Sequence, residues 1–252
     1  METPLTPLEF ARRARKLYPE RVAVIDGDSR WTYAQFLDRC DRWSAALQKL
    51  GINRGDGVAY LSPNTHAQLE SFYAVPQIGA VLVPLNYRLT ADDFVYLINH
   101  SGSRMVCADR DYLGTIDSIR EQLPKLEHFV ALTGHAENWL DYEAMIDASS
   151  AEFARPEIHE TDLLTINYTC GTTSRPKGVT ITHRNAWMNS IGTLRLAPVD
   201  AMPSCSYPAL KNILCSLFVY GVRSQIWEPK AASEALGRVI MLENSKAIRT
   251  LQ

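Results

Sequence analysis

An α/β fold, with mainly parallel sheets flanked by helices, is what this chain predicts, and three observations carry that reading. Short apolar runs recur, among them Val58-Ala59-Tyr60-Leu61, Ala80-Val81-Leu82-Val83-Pro84 and His128-Phe129-Val130-Ala131-Leu132, and such runs read as buried strands. Segments between them carry apolar residues at spacings of three and four, the mark of a helix with one core-facing stripe. Strand and helix alternate along the chain, which is the pattern of βαβ units and a parallel sheet.

Pro7 to Leu17 reads as a short helix and Val22-Ala23-Val24-Ile25 as a strand. Asp26-Gly27-Asp28 is a hairpin signal, because Asp-Gly suits a turn with positive φ. Thr32 is placed to cap a helix reaching Leu50, and Gly51 stops it. Its stripe of Phe36, Cys40, Trp43, Leu47 and Leu50 reads as core. Gly55-Asp56-Gly57 turns the chain into the strand at Val58, and a helix follows through Leu69, Phe72 and Tyr73 to about Ile78, kinked or shortened by Pro76. Thr90 caps the next helix, with Asp92 and Asp93 in its first turn, where carboxylates oppose the helix dipole. Arg104 to Ala108 is a strand, and Tyr112 to Leu123 is helical. Gly134 to Glu160 is read as a polar, irregular connector, and Ala231 to Met241 as a helix.

Composition narrows the function classes. The chain has 252 residues, 46% apolar and 21% charged, as in an ordinary globular protein of one or two domains. A net charge of −2 gives no reason to expect nucleic acid or an anionic membrane surface as partner. Five scattered cysteines, with no CxxC or metal spacing, read as reduced thiols. Neither a signal-peptide core nor an apolar run of spanning length is visible, so cytoplasmic location is the expectation.

The most informative stretch follows the strand Leu163 to Tyr168 and reads Thr169-Cys170-Gly171-Thr172-Thr173-Ser174-Arg175-Pro176-Lys177-Gly178. Glycines let backbone approach a ligand, hydroxyls and N–H groups donate to phosphate oxygens, and the lysine adds a charge. That is the donor set of a polyphosphate cradle. It is not a Walker A loop, since Gly178 rather than Ser or Thr follows Lys177. After it come Val179-Thr180-Ile181 and a helix N-cap at Thr182.

From Tyr168 to Val179 the stretch resembles, nearly residue for residue, the phosphate loop of the adenylate-forming superfamily, with Cys170 where serine is usual. Arg30-Trp31-Thr32-Tyr33, Gly55 to Ala59, Leu61 to Asn64 and Gly79 to Leu89 are similar to acyl-CoA synthetase segments and stand in the same order. The resemblance implies ATP-dependent activation of a carboxylic acid to an acyl-adenylate, then transfer to CoA, with ATP and Mg²⁺ required. It assigns nucleotide contacts to Thr169, Cys170, Gly171, Thr172, Thr173, Ser174, Pro176, Lys177 and Gly178, and no catalytic or metal-ligating residue. Residues 1–190 are then the N-terminal portion of the synthetase domain, with the loop at 168–179, and residues 191–252 a divergent tail. The family's Tyr-Gly-x-Thr-Glu segment, its Thr-Gly-Asp aspartate and its C-terminal lysine domain have no counterpart between Ser190 and Gln252. The expectation is therefore a truncated ligase inactive on its own; the alternative is a non-catalytic binding or regulatory fragment.

Other polar residues receive plainer readings. Asn86 and Arg88 serve a turn, His183 is a surface or cap residue, and Asp141 with Glu143 is a solvated pair. Cys170 is a small substitute for serine, with a reactive loop thiol as the other reading.

Overall fold

The computed structural model describes residues 3–169, 175–196 and 239–241. Helix α1 (Leu8–Leu17) precedes the hairpin β1 (Val22–Asp26) and β2 (Ser29–Thr32), whose turn places Gly27 at φ 58°. Helix α2 (Tyr33–Lys49) begins at a reciprocal cap: Thr32 accepts from the Gln35 N–H while Gln35 accepts from the Thr32 N–H. Then follow β3 (Gly57–Leu61), α3 (His66–Ala74), β4 (Val81–Pro84), α4 (Ala91–Ser101) and β5 (Ser103–Ala108). Pro76 does end α3, opening a separate 3₁₀ turn at Pro76–Ile78. Thr90 and Asp93 make the same reciprocal cap on α4. The chain continues through α5 (Leu113–Ser118), β6 (His128–Ala131), β7 (Leu140–Asp141), α6 (Tyr142–Asp147), β8 (Leu163–Thr169), β9 (Lys177–Thr182) and α7 (His183–Leu196).

Seven strands form one sheet in the order β7-β6-β5-β3-β4-β8-β9, parallel throughout except for the antiparallel β8–β9 pair. Its central strands are buried on both faces, so alternate residues feed two cores. Val58, Tyr60, Met105, Cys107 and Val130 pack with Phe36, Trp43 and Leu47 of α2 and Phe72 of α3. Ala59, Leu61, Val106, Ala108 and Ala131 pack with Phe94, Leu97 and Ile98 of α4 and Ile116 of α5. The expected stripe on α2 is core, as read.

Three expectations are corrected. The segment from Tyr112 to Leu123 is not one helix: α5 has 3₁₀ turns on either side, Arg110–Tyr112 and Arg120–Gln122. Its start, Leu113-Gly114-Thr115-Ile116, includes a glycine and two β-branched residues, all poor helix formers. The connector holds β7 and α6, and Tyr142 at the start of α6 is fully buried. At the far end Val239–Met241 is a strand, β10, not helix; it pairs antiparallel with β1 in a small sheet β10-β1-β2. β-branched Val239 and Ile240 favour that extended state. The rest of that expected helix lies outside the described residues.

Candidate functional site

Strand β8 runs parallel to β4, with Leu82 opposite Thr165, so it ends at the same edge as the carboxyl ends of β3 and β4. Ligands of open α/β sheets bind at that edge. The polar stretch is the tip of a β-hairpin there: β8 and β9 pair antiparallel from Leu163↔Thr182 to Thr169↔Lys177. Thr169 Oγ1 donates to the Lys177 carbonyl at a long 3.5 Å. The Lys177 side chain is exposed and, among the described residues, pairs with no carboxylate. Arg175 is exposed as well, and no aspartate or glutamate occurs from Leu163 to Thr182. The hairpin's own charged residues at the mouth, Arg175 and Lys177, are thus both cationic, which suits an anionic ligand.

Of the residues expected at the site, Thr169, Pro176, Lys177 and Gly178 are placed at the mouth, while Cys170, Gly171, Thr172, Thr173 and Ser174 lie outside the described residues. Gly178 faces Tyr168 across the ladder, and a Cβ there would sit 3.1 Å from Ile166 Cγ2 and 3.4 Å from the Tyr168 ring. Packing against those two side chains is the constraint on Gly178 that the described geometry displays. After the hairpin, Thr182 caps α7 by exchanging bonds with Asn185.

Helix α4 lies against the mouth. The Tyr96 hydroxyl donates to the Pro176 carbonyl at 3.2 Å, and the Arg175 guanidinium sits over the Tyr96 ring at 5.3 Å. His100 Nδ1 and the Tyr168 hydroxyl are 2.8 Å apart. Burial pushes the Tyr168 phenol up to about 12. Sequence reading missed Tyr96 and His100; their i, i+4 spacing on α4 was the available signal. A groove of about 720 Å³ beside them is also lined by Asp92 and Asp93, and Asp93 caps α4, so the groove itself is not an anion site.

Elsewhere the plain readings divide. Asn86 Oδ1 accepts from the Arg88 N–H at 2.9 Å, the turn role expected. His183 is not at the surface: it is fully buried, its Nδ1 2.8 Å from Thr6 Oγ1 and its Nε2 without a partner among the described residues. Burial lowers its pKa to about 4, so the ring is neutral. Nor are Asp141 and Glu143 a solvated pair. Asp141 caps α6 through the Ala144 N–H, and Glu143 bonds both Arg39 and His66. Glu143 belongs to a cluster behind the sheet in which Arg39 grips fully buried Glu70 at 2.5 and 3.3 Å, Tyr142 donates to Glu70 at 2.5 Å, and His66 Nδ1 meets Asp26 at 2.8 Å. Each buried charge there has a partner, and its role is to tie α2, α3, α6 and β1 together.

Among the described residues no group of acidic, histidine or cysteine side chains is arranged to hold a metal ion, and no helix is long and apolar enough to cross a membrane. Residues 10–226 match the family model described as AMP-binding enzyme. The chain is 37% identical over 196 residues to 4-hydroxybutyrate–CoA ligase 2 of Metallosphaera sedula, covering 74% of this chain and 36% of that protein. It is 34% identical over 208 residues to the peroxisomal butyrate–CoA ligase AAE11 of Arabidopsis thaliana, covering 76% and 36%. Among solved structures it resembles the anthranilate CoA ligase AuaEII in complex with anthranoyl-AMP, with a TM-score of 0.72 and 25% identity over 76% of this chain and 38% of that one. The chain thus spans little more than a third of the length of these curated relatives.

Proposed function

The chain belongs to the AMP-binding enzyme family, and from that premise we propose that it carries the triphosphate-binding portion of an acid–CoA ligase. In that reaction a carboxylate oxygen attacks the α-phosphorus of ATP, the bond to the bridging oxygen breaks, and pyrophosphate leaves. The CoA thiol then attacks the acyl carbon and AMP departs. The two exposed cationic side chains at the hairpin mouth, Lys177 and Arg175, carry this reading. Lys177 and the hydroxyls of Thr172, Thr173 and Ser174 hold the β- and γ-phosphates and offset the charge that builds on the leaving group. Mg²⁺, if bound with the nucleotide, would add positive charge at the phosphates beside that of Lys177. Residues 1–190 are the N-terminal portion of the synthetase domain and residues 191–252 its divergent continuation. The reduced state of Cys40 and Cys107 suits a cytoplasmic setting.

A second reading is a binding or regulatory protein with no ligation of its own. Orientation of acid against nucleotide supplies much of the rate in a two-substrate step, and none of the assigned residues positions the acid. Two assays on the chain separate the readings. Heat-unfolding midpoints should rise with ATP or pyrophosphate, since a ligand bound to the folded state alone stabilises it. Hydroxamate trapping with a panel of fatty and aryl acids should show no acid-dependent turnover above a Lys177→Ala control. Stabilisation without turnover fits the triphosphate-binding portion; no stabilisation by either ligand counts against it.

A further inference from the structure

Both legs of the hairpin are held by one face of α4. Tyr96 and His100 stand four residues apart on that helix and so share a face. Tyr96 takes the departing leg, through its hydrogen bond to Pro176 and the Arg175 guanidinium above its ring. His100 takes the arriving leg, through Tyr168. The rings are contiguous: Tyr96 and His100 have centroids 5.3 Å apart, and His100 meets Tyr168 edge-on at 5.7 Å. A row of Arg175, Tyr96, His100 and Tyr168 therefore bridges the mouth from one strand to the other. The ladder itself ends at Thr169↔Lys177, where the side-chain bond is long, and Arg175 and Pro176 lie beyond its last pair. The α4 contacts fix what the ladder leaves loose.

We propose that Tyr96 and His100 are positioning residues for the phosphate hairpin. They hold Tyr168 and Pro176, on the two legs of the hairpin, against one helix face, and so fix the legs relative to each other before a polyphosphate arrives. This inference rests on the triphosphate reading above. Pre-organising the framework of a binding site lowers the ordering cost paid on binding and appears as affinity. The Tyr168 hydroxyl and His100 Nδ1, 2.8 Å apart, are within hydrogen-bond distance, and this contact is the one that ties the arriving leg to α4.

The test uses the 252-residue chain, with pyrophosphate and MgATP as probes followed by calorimetry, and urea midpoints measured in parallel. Tyr96→Phe removes one oxygen and keeps the ring under Arg175; His100→Phe removes the Nδ1 that meets the Tyr168 hydroxyl. Each should weaken both probes by about 3- to 10-fold with the urea midpoint unchanged. His100→Asn, whose side-chain amide returns a hydrogen-bonding group near the position of Nδ1, should recover most of the loss, a rescue that general destabilisation would not give. Joining His100→Phe to Tyr168→Phe should weaken binding no more than either alone, because both remove one bond. If Lys177→Ala weakens binding while Tyr96→Phe and His100→Phe do not, the positioning role is overturned and the triphosphate reading stands. If Lys177→Ala also leaves binding unchanged, the triphosphate reading falls and this inference with it.

Discussion

Removing the Arg39 guanidinium tests how the scaffold behind the hairpin is held. Glu70 is fully buried, Arg39 is 16% exposed, and the two meet at 2.5 and 3.3 Å. At ~3 Å and an effective dielectric of ~20 the pair attracts by roughly 5 kcal/mol. Breaking a buried pair from one side typically costs about 3–5 kcal/mol, because the other charge is stranded. Burial already pushes the Glu70 carboxyl above its usual range, against Arg39 and Tyr142, which pull it down. In Arg39→Met that upward push loses its main opponent, and the folded state keeps a proton that the unfolded chain gives up. A raised folded-state pKa means stability present below the unfolded value of a glutamate and lost as pH rises through the folded one. Urea unfolding should therefore show a loss of about 3–5 kcal/mol at pH 8, shrinking toward pH 5. Arg39→Met with Glu70→Gln should recover more than half of it at pH 8. A loss below about 1 kcal/mol, or one flat with pH, would refute the reasoning, since a stranded carboxylate must show both.

Two histidines should bend the pH profile of stability in opposite senses. For His66, burial alone would lower the pKa, but bonds to Glu143 and Asp26 and the charge of Glu70 outweigh it and raise the value. Its contribution is full below the unfolded value of 6.5 and is lost as pH climbs past the folded value; wild type minus His66→Gln, by urea midpoint, should shrink toward pH 9. His183, lowered by burial to about 4, cannot take the proton that the unfolded chain binds below 6.5. Stability should fall by roughly 3 kcal/mol from pH 6.5 to 4 on its account, and His183→Leu should flatten that limb. Gly178→Ala drives a Cβ to within 3.1 Å of Ile166 and should cost about 1–2 kcal/mol by thermal or urea unfolding.

The legible parts of the fold were those written in neighbouring residues. Thr32 with Gln35 and Thr90 with Asp93 announce helix starts within four positions, Gly27 announces its own turn, and Pro76 ends α3 because it lacks an N–H. Features settled by distant partners were not legible. Tyr142 sits in a polar stretch, and its burial depends on Glu70, 72 positions earlier. His183 looks like any residue after an N-cap until Thr6, 177 positions away, meets its ring. The phosphate-like stretch was readable as chemistry, but its framing by an antiparallel pair and by α4 was not. Pairing of β9 with β8 and the reach of Tyr96 to Pro176, 80 positions apart, are matters of packing.

The central claim is that the 169–178 hairpin is a polyphosphate cradle with Lys177 as its charge. Titration calorimetry of pyrophosphate and MgATP into wild type and Lys177→Ala tests it most directly. Losing one charge-assisted contact should cost about 1.5–3 kcal/mol, or roughly 10- to 150-fold in Kd, with the urea midpoint unchanged because the side chain is exposed and, among the described residues, pairs with no carboxylate. Equal affinity in the two proteins would contradict the cradle assignment.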